Sequence, residues 1–288
     1  MIMSSPTDPV GHAQRVRRYY DNNTAAFERL GQGGAAIHRA VWGPGVTTRQ
    51  AAFHHVEELI RQALPTDVAE PTVVDLGCGL GASLLYLAER TNMHGEGITI
   101  SPVQAAGAAK LIAQVGAGDR VHCREGNFLA LPDDLAGRAD LTFSIEAFIH
   151  SPDAERYFHE AARSLRPGGK LLICDDFLTA AATPAAPRAA RRLAEFRTGW
   201  RVGSLLTVEQ VRTIADAHGL TLHRDLDLTP MLELRRLRDR GVSILVALGR
   251  TFRQDNDYWQ SLIGGDALQW ALTHGLLNYR LLELHRRD

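Results

Sequence analysis

The chain has 288 residues, of which 45% are hydrophobic and 23% charged, as in an ordinary globular protein with a packed core. Its 32 lysines and arginines nearly balance its 33 acidic residues, so no overall field steers it to nucleic acid or to an anionic membrane. Any site for an anion must therefore be local.

The amino-terminal stretch MIMSSPTDPVG lacks the basic start and the apolar core of a signal peptide. No later segment reaches the ~18 apolar residues of a membrane span. We therefore expect a cytoplasmic protein without a membrane span. Cys78, Cys123 and Cys174 show no C-x-x-C spacing, and we expect them to be reduced core thiols.

Residues 1–70 are predicted to form an amino-terminal helical segment and lid. GHAQRVRRYYDNNTAAFERL and TRQAAFHHVEELIRQAL have helical patterns, and the glycine-rich GQGGAAIHRAVWGPG separates them. The first clear strand follows this segment.

The next part of the chain alternates strands with helices such as SLLYLAER and AERYFHEAARSL. This alternation predicts a parallel sheet with right-handed crossovers. The predicted strands cover residues 72–76, 95–100, 120–123, 140–145 and 170–175.

After the fifth strand, an Ala/Pro/Arg stretch precedes the helix TVEQVRTIADAHG, the strand LTLHRDLDL and a last strand in LLNYRLLELHRR. The predicted fold is α/β: a Rossmann-like, doubly wound, mostly parallel seven-stranded sheet with amino-terminal helices. Residues 71–288 form its main domain, and helical cap insertions occupy about 177–205 and 231–272.

The stretch VVDLGCGLGAS, residues 73–83, brings three glycines directly after the first strand. Glycines there let the backbone turn sharply and let a ligand approach closely. Gly77, Gly79 and Ala82 also fit the dinucleotide pattern G-x-G-x-x-G/A. Asp75 would repel a pyrophosphate, however, and it suits a cationic amino-acid group. The second strand also lacks an acidic residue at its tip, which argues against a nicotinamide cofactor.

The same stretch resembles the first motif of class I S-adenosylmethionine-dependent methyltransferases. GITISPVQ is similar to the branch that contains the sterol, cyclopropane fatty acid and prenyl-diphosphate C-methyltransferases. The resemblance implies S-adenosylmethionine as cofactor, with Thr99 and Gln104 on its adenosine side. EGNFLALP is similar to the adenine-edge motif, which implies Asn127 and Phe128. The predicted cofactor-binding residues are Asp75, Gly77, Gly79, Gly81, Thr99, Ser101, Gln104, Asn127, Phe128 and Ile145.

Glu146 is the predicted catalytic base. It ends the fourth strand, where open α/β sheets place their chemistry, and apolar neighbours would raise the pKa of its carboxyl. The alternative is that Glu146 pairs with an arginine. His150, four residues further on, is a second catalytic candidate or a structural histidine.

The resemblance implies an alkene acceptor that becomes a carbocation and then loses a proton. Aromatic faces stabilise such a cation, although core packing also explains aromatic residues. Arginines 188, 191, 192, 197 and 201 make the cap basic, which suits a diphosphate. The predicted substrate-binding residues are Tyr20, Trp42, Phe148, Phe177, Phe196, Arg197 and Trp200.

YYDNNTAAFERLGQGGAAIHRAVWGPGV is similar to the amino-terminal region of prenyl-diphosphate C-methyltransferases, so the expected partner is a small molecule of that kind. O- or N-methylation of another small molecule and a catalytically silent cofactor-binding protein stay open. Mg²⁺ could bind at Asp175 and Asp176, or it could arrive bound to a substrate diphosphate. The sequence leaves homo-oligomer formation open.

Overall fold

The computed structural model describes residues 8–30, 38–180, 186–234 and 257–288, together with residues 236, 241, 245 and 246. Within these ranges, no helix combines the length and the apolar character that a bilayer span requires.

A seven-stranded sheet in the order β3-β2-β1-β4-β5-β7-β6 forms the centre of the fold. All pairs among β1 to β5 are parallel, whereas β7 runs antiparallel to both β5 and β6. This confirms the predicted mostly parallel sheet. The strands are β1 Thr72–Leu76, β2 His94–Thr99, β3 Val121–Glu125, β4 Ala139–Ile145, β5 Leu165–Leu178, β6 Leu220–Asp227 and β7 Leu277–Arg286.

The strand order reverses between β1 and β4, because the chain adds β2 and β3 on one side and then returns to add β4 and β5 on the other. Helices that connect the two halves lie on opposite faces, so a crevice opens at the carboxyl ends of β1 and β4. The sheet thereby positions the residues that follow these two strands.

Helices cover both faces of the sheet. The predicted helix over residues 48–64 is interrupted at His54, where the backbone leaves the helical region with φ −102° and ψ 10°. The helices are α1 Pro9–Leu30, α2 Arg49–Phe53, α3 His55–Ala63, α4 Ala82–Arg90, α5 Pro102–Gln114, α6 Ala154–Ser164, α7 Pro187–Gly199, α8 Val208–Ala217 and α9 Asp257–Thr273.

Three buried apolar clusters hold these layers together. The first packs α3, α4 and α5 on one sheet face, and the second packs α6 and α8 on the other. The third joins α7 to α9, which cross so closely that a Cβ at Gly199 would lie 2.7 Å from the Cα of Gly264. The two predicted cap segments therefore pack on each other, although residues 235, 237–240, 242–244 and 247–256 of the second lie outside the described residues.

Candidate active site

A cavity of about 390 Å³ lies at the carboxyl ends of the parallel strands. Residues at or directly after the carboxyl ends of β1 to β4 and residues near the end of β5 line it, together with α1, residues 38–39 and Trp200. The cavity occupies the crevice where an open α/β sheet binds its ligands.

The glycine-rich turn after β1 forms one side of the cavity. Gly77 has φ 100°, and a Cβ there would lie 2.4 Å from the Cβ of Ala147. Gly79 has φ 55°, and a Cβ there would find only Gln104 Nε2 within 4 Å, at 3.9 Å. At Gly79 the space beside the backbone is therefore the cavity itself. Gly81 is the N-cap of α4 and does not line the cavity.

The residues after β2 form a connected polar group. Thr99 Oγ1 donates to Gln104 Oε1 at 2.8 Å, and both side chains line the cavity. Ser101 does not line it. Its hydroxyl accepts from the backbone N–H of Gln104 at 3.1 Å and donates to Asp21 of α1 at 2.5 Å. The side chain of the predicted cofactor-binding residue Ser101 thus caps α5 and contacts α1.

The predicted adenine-edge residues also lie at the cavity. Asn127 Oδ1 accepts from the N–H of Leu129 at 2.9 Å, which fixes the turn after β3. Phe128 packs edge-on against Tyr157, with ring centroids 5.5 Å apart. Ile145 lines the cavity with them.

Asp75 lies beside a buried ion pair that the sequence did not reveal. His38 Nε2 contacts Glu57 Oε1 at 2.6 Å, and Ser83 Oγ donates to the same oxygen at 3.1 Å. Burial alone would lower the pKa of His38, but the charge of Glu57 outweighs it and raises this pKa to about 9. Burial and the charge of Glu57 raise the pKa of Asp75, while His38 lowers it.

Glu146 is fixed by three hydrogen bonds that converge on one oxygen. The backbone N–H and the Nε of Arg39 donate to Oε1 at 2.9 and 3.0 Å, and Tyr279 Oη donates to it at 3.0 Å. Among the described residues, no hydrogen bond reaches Oε2. This oxygen is therefore the one available to a bound acceptor.

The predicted rise in the pKa of Glu146 is wrong. Burial does raise this pKa, but the charge and hydrogen bonds of Arg39 outweigh burial and hold it below its ordinary value. The alternative of an arginine partner is the one the structure contains. Glu146 also has φ 50°, a strained backbone conformation of the kind that occurs at functional sites.

Arg39 links Glu146 to the end of β5. Its Nη1 and Nη2 donate to the two carboxylate oxygens of Asp176 at 3.0 and 2.8 Å, and its guanidinium lies 4.0 Å from the ring centroid of Tyr279. Sequence reasoning missed Arg39 and His38, although adjacent basic residues in the otherwise apolar AAIHRAVW were a usable signal.

His150 forms a second polar contact with α1. Its Nε2 lies 2.9 Å from Tyr20 Oη, and its Nδ1 lies 3.4 Å from the carbonyl oxygen of Arg201. Because a carbonyl only accepts, the tautomer that satisfies both contacts carries its proton on Nδ1 and accepts from Tyr20 at Nε2. Burial lowers the pKa of His150 to about 4, so this imidazole is neutral at neutral pH.

Asp175 and Asp176 line the cavity, but their oxygens are already engaged. Asp175 accepts from the N–H groups of Ile149 and Asp176, at 2.9 and 2.8 Å, and Asp176 is paired with Arg39. Within the described part of the chain, no group of three or more His, Cys, Asp or Glu residues is arranged to hold a metal ion. These two carboxylates therefore do not fit a directly bound Mg²⁺.

Of the predicted substrate-binding residues, Tyr20 and Trp200 line the cavity and five do not. Phe148 and Phe177 belong to the core under α6, and Phe196 belongs to the core between α7 and α9. The structure therefore buries these three rings in apolar cores and does not bring them to the cavity. The other two residues away from the cavity are Trp42 and Arg197.

The arginine-rich cap does not face the cavity either. Arg192 is buried and pairs with Asp266 and Glu195 at 2.7 and 3.1 Å. Arg191 is exposed and lies 3.7 Å from Glu195. Among the described residues that line the cavity, the structure includes none of the five cap arginines that were expected to contact a diphosphate: 188, 191, 192, 197 and 201.

Residues 73–169 match the protein family described as "Methyltransferase domain". The probable chloroplastic tocopherol O-methyltransferase of Oryza sativa subsp. japonica is 33% identical over 173 residues, which are 57% of this chain and 47% of that protein. Norajmaline N-methyltransferase of Rauvolfia serpentina is 29% identical over 172 residues, 56% of this chain and 57% of that protein. The chain thus spans about half the length of these relatives.

Two solved structures share the fold over nearly the whole chain. One is geranyl diphosphate C-methyltransferase from Streptomyces coelicolor A3(2), in complex with Mg²⁺, geranyl diphosphate and S-adenosyl-L-homocysteine. Its TM-score is 0.71 at 18% identity, and the alignment covers 98% of this chain and 99% of that one. The mycolic acid cyclopropane synthase CmaA1 has a TM-score of 0.77 at 19% identity, with coverage of 96% and 98%. Their shared fold confirms the predicted fold class, and the match of residues 73–169 confirms the predicted methyltransferase domain.

Proposed function

We propose that this chain, in which residues 73–169 form a methyltransferase domain, transfers a methyl group from S-adenosylmethionine to an alkene carbon of a small, largely apolar acceptor. The observation that carries the proposal is one cavity that contains both the bare backbone of the glycine-rich turn and the free Oε2 of Glu146.

The cavity suits the cofactor in shape and polarity. The open space at Gly79 admits a ligand against the backbone, and Asp75 offers a carboxyl to a cationic amino-acid group. Thr99 and Gln104 give a polar edge to the adenosine side, with Asn127 and Phe128 next to it. When bound, S-adenosylmethionine supplies an electrophilic methyl group.

The ionised state and low basicity of the Glu146 carboxylate favour C-methylation. A methylated alkene is a carbocation and hence a strong acid, so an ionised carboxylate of low basicity can take a proton from the adjacent carbon. A new double bond forms from the released electron pair. Deprotonation of a phenol or an alcohol instead requires a base whose pKa lies near the working pH. Arg39 lowers the pKa of Glu146, and burial lowers that of His150 to about 4, so neither group meets that requirement.

O- or N-methylation is the second candidate. It is supported by the two relatives, of which one is an O-methyltransferase and the other an N-methyltransferase. An amine that is neutral in the site needs no base before methyl transfer, and Glu146 would attract the positive charge that develops on it.

A prenyl diphosphate remains one acceptor to test, since a geranyl diphosphate C-methyltransferase shares the fold. Among the described residues that line the cavity, few cationic groups are available to bind the diphosphate of such an acceptor. The guanidinium of Arg39 is occupied by Glu146 and Asp176, and the cap arginines lie elsewhere. We therefore assign the apolar alkene, and not the anionic tail, as the part of the acceptor that the cavity selects.

The test is an acceptor panel with methyl-labelled S-adenosylmethionine. Prenyl diphosphates, the matching prenyl alcohols, phenols and secondary amines are incubated with the protein, and products are identified by mass spectrometry and NMR. Label on a former alkene carbon supports the proposal. Label found on oxygen or nitrogen only would assign the second candidate, and no transfer to any acceptor would leave a catalytically silent binding protein.

A further inference from the structure

We propose that His38 is a further cofactor-binding residue, whose imidazolium takes the carboxylate of the amino-acid end of S-adenosylmethionine while Asp75 takes the ammonium group. This inference rests on the proposed function and adds a specificity for the zwitterionic end of the cofactor.

The polarity of the buried ion pair is the first step. His38 and Ser83 line the cavity, whereas Glu57 is completely buried and does not. The negative partner therefore lies behind the positive one, so a ligand in the cavity meets the imidazolium. Ser83 Oγ also donates to Glu57 at 3.1 Å, which further fixes the carboxylate behind His38.

The ionisation of the pair is the second step. Burial opposes charge on both groups, but their contact at 2.6 Å raises the pKa of His38 to about 9 and lowers that of Glu57 to about 2. Both partners are thus charged across the neutral range. The titratable neighbours of His38 are Glu57 of α3, Asp75 of β1 and Glu146 after β4. A second histidine, His54, lies 3.8 Å from Glu57.

The free hydrogen-bonding capacity is the third step. His38 Nε2 is committed to Glu57, whereas Nδ1 has only a long contact of 3.4 Å to the carbonyl oxygen of Arg39. An N–H group in such a contact can turn to a carboxylate at little cost. The other cation that lines the described cavity, Arg39, already donates through Nε, Nη1 and Nη2 to Glu146 and Asp176.

Asp75 completes the assignment. Its carboxyl is 3% exposed and lines the cavity, and no hydrogen bond to it occurs among the described residues. A buried carboxyl without a partner is costly, and an ammonium group would compensate that cost. His38 and Asp75 both line the cavity, so a cationic donor and a carboxyl group can each meet one end of a zwitterion, whereas a ligand without an amino-acid end would contact neither.

The experiment compares three ligands by calorimetry on the full chain: S-adenosylhomocysteine, its decarboxylated analogue and 5′-methylthioadenosine. The wild type should bind S-adenosylhomocysteine at least about tenfold more tightly than the decarboxylated analogue, since one charged hydrogen bond corresponds to roughly tenfold to hundredfold in affinity. His38→Gln, whose amide can still donate to Glu57, should remove most of this ratio and leave 5′-methylthioadenosine affinity unchanged. His218→Gln is the matched control and should keep the ratio, because His218 also pairs with a glutamate, Glu155 at 2.9 Å, but does not line the cavity.

Three results would overturn the inference: equal wild-type affinity with and without the carboxylate, an unchanged ratio in His38→Gln, or a parallel loss for all three ligands, which would make His38 merely structural. If His38→Gln does not fold, Glu57→Gln removes the counter-ion of the imidazolium and should reduce the same ratio. Failure of the wild type to bind any of the three ligands would instead contradict the proposed function.

Discussion

The backbone N–H and the side-chain Nε of Arg39 donate to the same carboxylate oxygen of Glu146, at 2.9 and 3.0 Å. One residue of the amino-terminal segment thereby sets the charge of the proposed catalytic carboxylate. The remaining guanidinium nitrogens bind Asp176. Arg39 consequently holds two buried carboxylates together, with consequences for both stability and turnover.

Arg39→Met should destabilise the fold at neutral pH, because it leaves Glu146 and Asp176 without their cation. Loss of one partner of a buried ion pair costs about 3–5 kcal/mol. The folded-state pKa of Glu146 lies below its ordinary value, so its stabilising contribution is present above that ordinary value and is lost as pH falls through the folded-state value. Urea unfolding should therefore show a large deficit at pH 7 that narrows near pH 4.

The control for this prediction is Arg49→Met. Arg49 pairs with Glu233 at 3.1 Å, but both side chains are more than a third exposed. Such a pair contributes about 0–1 kcal/mol, so this variant should stay close to the wild type at both pH values. Equal deficits in the two variants would contradict a special role for Arg39.

Glu146→Gln should abolish proton abstraction while preserving shape. We expect a fall in kcat of ~10²- to 10⁴-fold on an alkene acceptor, with little change in S-adenosylhomocysteine affinity. Rate and product profile are measured together, since a longer-lived cation should give rearranged or water-quenched products. Turnover near that of the wild type would exclude Glu146 as the base.

Gly79→Val should abolish cofactor binding. The backbone at Gly79 has φ 55°, and the space beside it belongs to the cavity, so a β-branched side chain would occupy the ligand's place. Gly116→Val is the matched control, because Gly116 has φ 68° and nothing lies within 4 Å of its added Cβ. Calorimetry should show binding lost in the first variant and kept in the second. Tight binding of NADH by the wild type would reject the cofactor assignment.

The burial of His150 in its neutral form should make the fold less stable in mild acid. Burial lowers its folded-state pKa from 6.5 to about 4, so the unfolded chain binds the proton more readily between these values and stability falls as pH decreases. The effect amounts to roughly 3 kcal/mol across this window. His150→Gln should flatten the slope of unfolding free energy against pH between 6.5 and 4. A slope identical to that of the wild type would show that His150 is not buried in its neutral form.

Arg192→Ala should destabilise the protein without changing acceptor or cofactor affinity. Its guanidinium is buried against Asp266 at 2.7 Å, so its removal should cost about 3 kcal/mol. Arg191→Ala, one residue earlier on α7 and exposed, should stay within about 0.5 kcal/mol of the wild type. Thermal unfolding and acceptor titration distinguish the two roles. A selective loss of acceptor affinity in either variant would restore the cap as a binding surface.

Local sequence patterns were sufficient to predict the sheet, the glycine-rich turn and the position of Glu146. These features follow from local patterns: apolar runs specify strands, glycine permits positive φ, and a residue after a parallel strand must lie at its carboxyl end. Thr99 ends β2 and Gln104 lies in the first turn of α5, five positions later, so the short connection itself keeps the two side chains close.

Which charged side chains contact each other could not be predicted from local patterns, because the contacts form between residues that are distant in the chain. Glu146 and Arg39 are 107 positions apart, and His38 reaches Glu57 only through the folding of the amino-terminal segment onto α3. The local apolar neighbours of Glu146 predicted a raised pKa, but a Coulombic contact from a distant residue reversed the sign. Phe148, Phe177 and Phe196 are likewise buried in the core. The sequence shows that a ring is apolar, but it does not show whether the ring packs in the core or lines a cavity.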